Sequence, residues 1–210
     1  EVADVEELLT TLRPLLRGEE FRLSVALLEG RMSEDDAERE RTLLADTIMT
    51  VIKQAVERDH VRRYGRVPGG GMAVIAMGKA GSREMMPGSD LDLLMVFDHP
   101  EEIQTSQVAA KSRNAGQELA FSRPRSVAVG QYYTRLAHVF IAALTAPGPE
   151  GPLYAVDMRL RPPGAAGLVV VPRSAFLLYH SEVAWTGEFM ALTTAPTAPA
   201  PQVPRPDSTP

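Results

Sequence analysis

The chain of 210 residues contains no cysteine. This absence excludes disulfides, thiolate zinc sites and a cysteine nucleophile, and it fits a reducing compartment such as the cytoplasm. An excess of positive charge is also missing, because 22 Lys and Arg stand against 27 Asp and Glu and leave a formal net charge of −5. A protein that grips nucleic acid by bulk electrostatics needs a basic surface. We therefore expect a cytoplasmic protein with no nucleic-acid partner.

Long apolar runs are absent as well. None approaches the roughly 18 residues that a membrane span requires, so we expect no membrane partner. The chain starts at Glu1 without an initiator methionine, and neither a basic segment nor an apolar segment of a signal peptide follows. We therefore expect a piece of a longer protein. The hydrophobic fraction of 44% is nevertheless sufficient for a folded core.

The pattern of apolar residues divides the chain into three parts. Residues 1–66 are predicted to form a helical lead-in. Residues 67–194 alternate between apolar strands and amphipathic helices, which predicts an α/β (α+β) core with a small mixed sheet flanked by helices. Residues 195–210 are rich in Pro, Ala and Thr, and they are predicted to be a linker or a disordered tail.

Helix and strand signals place the individual elements. Pro14 and Gly18 are expected to interrupt the first helical stretch, and Ser33 is expected to cap a long helix that ends at Gly65. The predicted helices cover residues 6–16, 20–29, 34–64, 132–144 and 174–190, and the predicted strands cover residues 72–77, 91–97, 154–160 and 168–171, with a turn at residues 78–82.

Two carboxylates open the second predicted strand. Residues i and i+2 of a strand point to the same side, so Asp90 and Asp92 lie together while Leu91 and Leu93 face the core. Like charges at this range repel unless a divalent cation neutralises them. Mg²⁺ is commonly bound by one or two carboxylates together with substrate phosphates. The pair therefore indicates a metal site, and the alternative is a solvated strand end.

A glycine turn precedes the acidic pair. Gly81 and Ser82 follow an apolar strand, where exposed backbone N–H groups can hold phosphate. Lys79 can add positive charge. The turn is not a Walker A loop, because Ala80 follows the lysine where that loop has Ser or Thr. A lone Gly-Ser turn is a weak signal, and its position shortly before the acidic pair is what indicates phosphate binding.

The third predicted strand carries charge on one face. Asp157, Arg159 and Arg161 share a face, and the apolar residues at positions 154, 156, 158 and 160 share the other. Asp157 would complete a three-carboxylate set for two metals about 3.5–4 Å apart, and the arginines would meet phosphate oxygens. The alternative is an ion-pair ladder with a neighbouring strand. A two-metal carboxylate set serves in-line phosphoryl or nucleotidyl transfer.

Taken together, these motifs resemble the glutamine synthetase adenylyltransferase (glutamate-ammonia-ligase adenylyltransferase) family, which lies within the DNA polymerase β-like nucleotidyltransferase superfamily. The resemblance covers residues 70–98 and 131–192, and several motifs occur in the family's order. The stretches that carry it are residues 74–85, 88–93, 132–137, 156–162, 164–167 and 184–186. The last two stretches look like the family's carboxy-terminal domain, which adds AMP.

The resemblance implies a multifunctional enzyme that transfers AMP from ATP to a tyrosine hydroxyl of glutamine synthetase and thereby regulates nitrogen metabolism. It implies Mg²⁺, in two ions, with ATP as substrate. Its implied partners are glutamine synthetase and, in a full-length chain, a PII signal protein. Carried over residue by residue, the catalytic metal ligands are Asp90, Asp92 and Asp157, and the residues that bind ATP are Gly81, Ser82, Lys79, Arg159 and Arg161.

Three other functions remain open from the sequence. One is removal of AMP from glutamine synthetase by phosphorolysis, which full-length members of the family perform with a second domain. Another is nucleotidyl transfer to a different substrate. The third is a silent nucleotide-binding module, against which the intact acidic trio argues, because such a module has no need for metal-neutralised carboxylates.

Overall fold

A computed structural model of the chain describes residues 4–108, 125–158 and 169–182. Within these ranges the chain forms five helices and four strands. They are α1 (Val5–Leu28), α2 (Glu34–Tyr64), β1 (Gly71–Met77), α3 (Gly78–Ser82), β2 (Leu91–Asp98), α4 (Val129–Thr145), β3 (Val156–Asp157), β4 (Val171–Pro172) and α5 (Arg173–Glu182). Two long helices followed by a small mixed sheet make an α+β fold, which confirms the predicted fold class.

The first helix is continuous, so the predicted interruption at Pro14 and Gly18 is wrong. An interior proline costs about 3 kcal/mol and a glycine about 1 kcal/mol relative to alanine. Packing supplies the compensation, because Leu9, Leu12 and Leu16 are buried in the main core and each buried leucine contributes about 1.5–3 kcal/mol. Tertiary contacts thus override the local signals that end a helix.

The second helix begins and ends where the sequence indicates. Ser33 Oγ accepts the N–H of Asp36 at 3.2 Å, which is the expected cap. At the other end, Gly65 adopts a φ of 76° and donates its N–H to the carbonyl of Val61. A Cβ at Gly65 would collide with the backbone of Gln107, so the position requires glycine.

The four strands form one mixed sheet around β2. β1 pairs with β2 in antiparallel fashion, from Gly71 opposite Asp98 to Met77 opposite Asp92. β3 and β4 both pair with β2 in parallel, β3 near its beginning and β4 near its end. The beginning of β2 is therefore flanked by β1 on one side and by β3 on the other.

Two of the predicted strands are shorter in the structure. β3 has two residues where the sequence predicts residues 154–160, and β4 has two where it predicts residues 168–171. Tyr154 is not part of a strand because its N–H donates to the carbonyl of Leu144 at the end of α4. Residues 159–168, and residues 183–190 of the predicted last helix, lie outside the described residues.

The main hydrophobic core lies between the helices and one face of the sheet. Leu91, Leu93 and Met95 of β2 are fully buried there, in the same cluster as residues of α1, α2 and α4. The other face carries a much smaller cluster that contains Leu94 and Val96. Because residues alternate along a strand, Asp92 belongs to this thinly covered face.

The division of the chain at residues 66 and 194 stays a prediction. No helix in the described part of the chain has the length and apolar character needed to cross a membrane.

Candidate metal and nucleotide site

Three carboxylates meet at the beginning of β2. Asp90 precedes the strand, Asp92 is its second residue, and Asp157 stands opposite Asp92 in the parallel pairing with β3. Each residue offers a carboxylate oxygen, and these three oxygens lie within 4.8 Å of one another. Asp90 is exposed, whereas the other two are half-buried. The structure thus brings together the three acids that the sequence selects.

The sheet holds this arrangement through backbone pairing. The N–H of Leu91 donates to the carbonyl of Ala155 at 2.9 Å, which fixes β3 beside the beginning of β2. Leu91 and Leu93 are both fully buried, as the alternation predicts, so the side chain between them is directed to the opposite face. The direction of Asp92 is therefore determined by core packing on the other side of the sheet, and the position of Asp157 by the pairing of β3 with β2.

The donor set suits a divalent cation. All three groups are carboxylates, the oxygen ligands that Mg²⁺ prefers. Three like charges within 4.8 Å of one another repel, and a cation between them would remove that repulsion. Asp92 and Asp157 would hold it from adjacent strands, and Asp90 would hold it from the loop that precedes β2.

Gly78 lies directly against one of these acids. It follows Met77, which is opposite Asp92 in the β1–β2 pairing, and its φ of 55° turns the chain into α3. A Cβ on Gly78 would overlap Oδ2 of Asp92 and would lie 3.2 Å from its Cγ. Glycine at this position therefore leaves the space in which the Asp92 carboxylate is held.

The residues predicted to hold phosphate form α3, a single helical turn where the sequence indicates a plain turn. α3 contacts both β1 and β2. Gly81 is buried. The hydroxyl of Ser82 donates to groups close to it in the sequence, the carbonyl of Gly78 at 3.2 Å and a carboxylate oxygen of Glu84 at 2.9 Å. Lys79 is exposed. The segment thus lies beside the acidic cluster.

Comparison with known proteins identifies the family. The family described as glutamate-ammonia ligase adenylyltransferase matches residues 1–200. The chain belongs to the glutamate-ammonia ligase adenylyltransferase family. Three curated relatives are each named bifunctional glutamine synthetase adenylyltransferase/adenylyl-removing enzyme. The relative from Brucella suis biovar 1 is 40% identical over 192 residues, which is 91% of this chain and 18% of that protein. The one from Rhizobium meliloti is 38% identical over 190 residues, 90% of this chain and 18% of that protein. The one from Xanthomonas campestris is 32% identical over 195 residues, which is 93% of this chain and 19% of that protein.

The chain spans about a fifth of the length of these relatives of the adenylyltransferase family. Not every residue singled out by its resemblance to that family has a described position. Arg159 and Arg161, predicted to bind ATP, lie outside the described residues, as do the stretches at residues 164–167 and 184–186. Of the predicted set, the structure places the three acids together, with Lys79, Gly81 and Ser82 on the adjoining α3.

One electrostatic link between distant parts of the chain was not apparent from the sequence. Arg83 follows α3 with a φ of 64° and is the only non-glycine residue with positive φ in the described ranges. Burial raises the pKa of Asp46 in α2, and the positive charge of Arg83 opposes that rise. The two residues are 37 positions apart in the sequence, so no local pattern could reveal this link between α2 and the loop that leads to Asp90.

Proposed function

We propose that this chain is a nucleotidyltransferase domain that transfers AMP from ATP to a tyrosine hydroxyl of glutamine synthetase. The observation that carries the proposal is the approach of Asp90, Asp92 and Asp157 to within 4.8 Å of one another. Family membership supports the substrate, because the relatives are named for adenylylation of glutamine synthetase. Three clustered carboxylates suit transfer of a phosphorus-containing group, because such reactions use metal-held phosphates.

The proposed transfer is an in-line substitution. The tyrosine oxygen attacks the α-phosphorus of ATP, a new P–O bond forms, the bond to pyrophosphate breaks, and the hydroxyl proton passes to solvent. When bound, Mg²⁺ supplies positive charge that stabilises the phosphates and the leaving pyrophosphate. The three aspartates would hold two such ions. The backbone of Gly81 and Ser82 binds the triphosphate, and Lys79 contributes charge to it.

Arg159 and Arg161 complete the proposal as residues that contact phosphate oxygens. A planar guanidinium can donate two parallel hydrogen bonds to such oxygens, which a lysine cannot do. Their place in the chain supports this role, since they follow Asp157 by two and four residues.

Removal of AMP is the second candidate function. The relatives' names include an adenylyl-removing activity, and phosphorolysis is transfer of the same AMP group with phosphate as the acceptor. The resemblance of residues 164–167 and 184–186 to the adding domain favours addition for this chain. In a longer protein, the proposed regulator is a PII signal protein, and the proposed location is the cytoplasm.

The test is a transfer assay with α-labelled ATP, Mg²⁺ and purified glutamine synthetase. The parent chain should label the synthetase, and an Asp90→Asn/Asp92→Asn variant should not. A Glu101→Gln/Glu102→Gln variant is the matched control, because it removes two exposed carboxylates next to the other end of β2. Equal labelling by the parent and the Asp90→Asn/Asp92→Asn variant would overturn the proposal. Release of labelled ADP from adenylylated synthetase and phosphate, without forward labelling, would select the removal activity instead.

A further inference from the structure

A cleft lies far from the acidic cluster. It has a volume of about 360 Å³ and runs between α2, α4 and the start of β1. We call it the α2–α4 groove; the residues that line it include Arg58, Val61, Arg66, Gly71 and Met72. Gly71 pairs with Asp98, whereas Met77 pairs with Asp92 at the metal site. At about 3.3 Å per residue, the two ends of β1 are roughly 20 Å apart, so the groove is separate from the proposed nucleotide site.

Unpaired positive charge marks the rim of the groove. Arg58 and Arg66 are exposed, and neither forms an ion pair within the described ranges of the chain. Arg62, one turn beyond Arg58 on α2, is exposed and lacks an ion pair in the same ranges. By contrast, Arg63 forms an ion pair with Asp59 at 2.9 Å. The chain as a whole carries a net charge of −5, so three arginines without acidic partners form a local exception.

The acid that lines the groove is neutralised by its own helix. Glu57 receives an ion pair from Lys53 at 2.6 Å, one turn away on α2. Its charge therefore does not cancel that of the arginines on the rim. The electrostatic character of the groove is set by Arg58 and Arg66, and it favours a negatively charged occupant.

The floor of the groove is apolar. Val67 and Met72 line it with little exposure, and Val61 is half-buried beside them. An occupant that places an apolar side chain on this floor while its acidic groups meet the arginines would satisfy both features.

We propose that the α2–α4 groove docks an acidic segment of a protein partner, with an apolar side chain seated between its carboxylates. A nucleic acid fits the same charge less well. Single strands bind on exposed aromatic platforms, but Tyr132 and Tyr133, which line the groove, are only 5% and 3% exposed. A few arginines also supply less charge than the six to ten phosphate contacts typical of a protein that binds DNA.

Fluorescence anisotropy with the folded chain tests the proposal. The probe is a fluorescein-labelled peptide of Glu-Glu-Leu repeats, and the comparison probes are Glu-Glu-Ser repeats and single-stranded oligothymidylate. The parent chain should bind the leucine-containing peptide most tightly. An Arg58→Glu/Arg66→Glu variant should bind it at least about tenfold more weakly, as expected for the loss of close charge contacts.

Two further variants make the result specific. Val61→Ser removes an apolar side chain that lines the floor, and it should also weaken binding about tenfold, since an apolar contact with the occupant is lost. Arg22→Glu/Arg39→Glu is the matched control, because it reverses two exposed arginines elsewhere on the helices. It should leave binding unchanged, and circular dichroism verifies that every variant is folded.

Three outcomes would overturn the docking proposal. They are equal binding by the parent and the Arg58→Glu/Arg66→Glu variant, equal loss in the matched control, and tighter binding of oligothymidylate than of the leucine peptide. The Asp90→Asn/Asp92→Asn variant should retain peptide binding, because its substitutions lie at the far end of β1. The docking proposal and the proposed nucleotidyl transfer can therefore fail independently.

Discussion

Substitution of Gly78 by alanine should damage the metal site more than the fold. Gly78 has a φ of 55°, and a Cβ there would overlap Oδ2 of Asp92. Gly30 provides a matched control, since its φ is 65° and an added Cβ would meet nothing within 4 Å. Both substitutions place alanine in the left-handed region, but only one of them pushes on a candidate metal ligand.

The expected magnitudes separate the two effects. The left-handed conformation costs a non-glycine residue about 1–2 kcal/mol, and this cost is common to both variants. In Gly78→Ala, the Asp92 side chain must also leave its position, which adds about 0.5–1.5 kcal/mol if it moves to a strained rotamer. The expected total is about 1.5–3.5 kcal/mol for Gly78→Ala and about 1–2 kcal/mol for Gly30→Ala. Displacing a metal ligand should in addition weaken Mg²⁺ binding about 10–100-fold, the range seen when groups that orient ligands are removed.

Two measurements on the same samples check this prediction. Urea unfolding in EDTA gives the free energy of unfolding, and the Mg²⁺ concentration that half-saturates label transfer to glutamine synthetase gives the metal requirement. Gly30→Ala should be destabilised with an unchanged Mg²⁺ requirement, whereas Gly78→Ala should need far more Mg²⁺. If Gly78→Ala kept the parent's Mg²⁺ requirement, the reasoning about the space beside Asp92 would be refuted.

Three other predictions concern single substitutions. His60 is 4% exposed, and burial lowers its pKa to about 4 from 6.5, so the unfolded chain takes up a proton at higher pH than the folded chain. The free energy of unfolding should therefore fall by up to about 3 kcal/mol between pH 6.5 and pH 4. In urea unfolding measured across this pH range, His60→Phe should make the free energy of unfolding less dependent on pH. Asp157→Asn should abolish label transfer to glutamine synthetase, because it removes one of the three clustered carboxylates, and label transfer at the parent's rate would contradict this account. Phe140→Ala should cost about 3–5 kcal/mol by urea unfolding, because the ring is fully buried, and a loss below about 1 kcal/mol would show that the core does not depend on it.

Much of the candidate site could be predicted because its signal is local. The alternation through Asp90, Leu91, Asp92 and Leu93 directs the acids away from the core, and the structure confirms that the two leucines are fully buried. The face of Asp157 follows from the same rule. Its place directly opposite Asp92 does not, because nothing in the local pattern of either strand specifies which strands pair.

The features that could not be predicted depend on contacts between distant parts of the chain. The continuity of α1 through Pro14 depends on leucines that pack against the rest of the core. The role of Gly78 depends on the β1–β2 register, which places it beside Asp92. The α2–α4 groove is assembled from residues 54–72 and 132–136, so its charge and its apolar floor meet only in the folded chain.

Direct observation of a bound cation tests the central claim, that three aspartates form one metal site for a nucleotide. Mn²⁺, which is paramagnetic, can replace Mg²⁺ in a titration followed by electron paramagnetic resonance, with a non-hydrolysable ATP analogue present. The parent chain should bind Mn²⁺, and Asp90→Asn, Asp92→Asn and Asp157→Asn should each weaken that binding markedly, while Glu101→Gln/Glu102→Gln should leave it unchanged. Binding of Mn²⁺ by all three single variants with the parent's affinity would contradict the account.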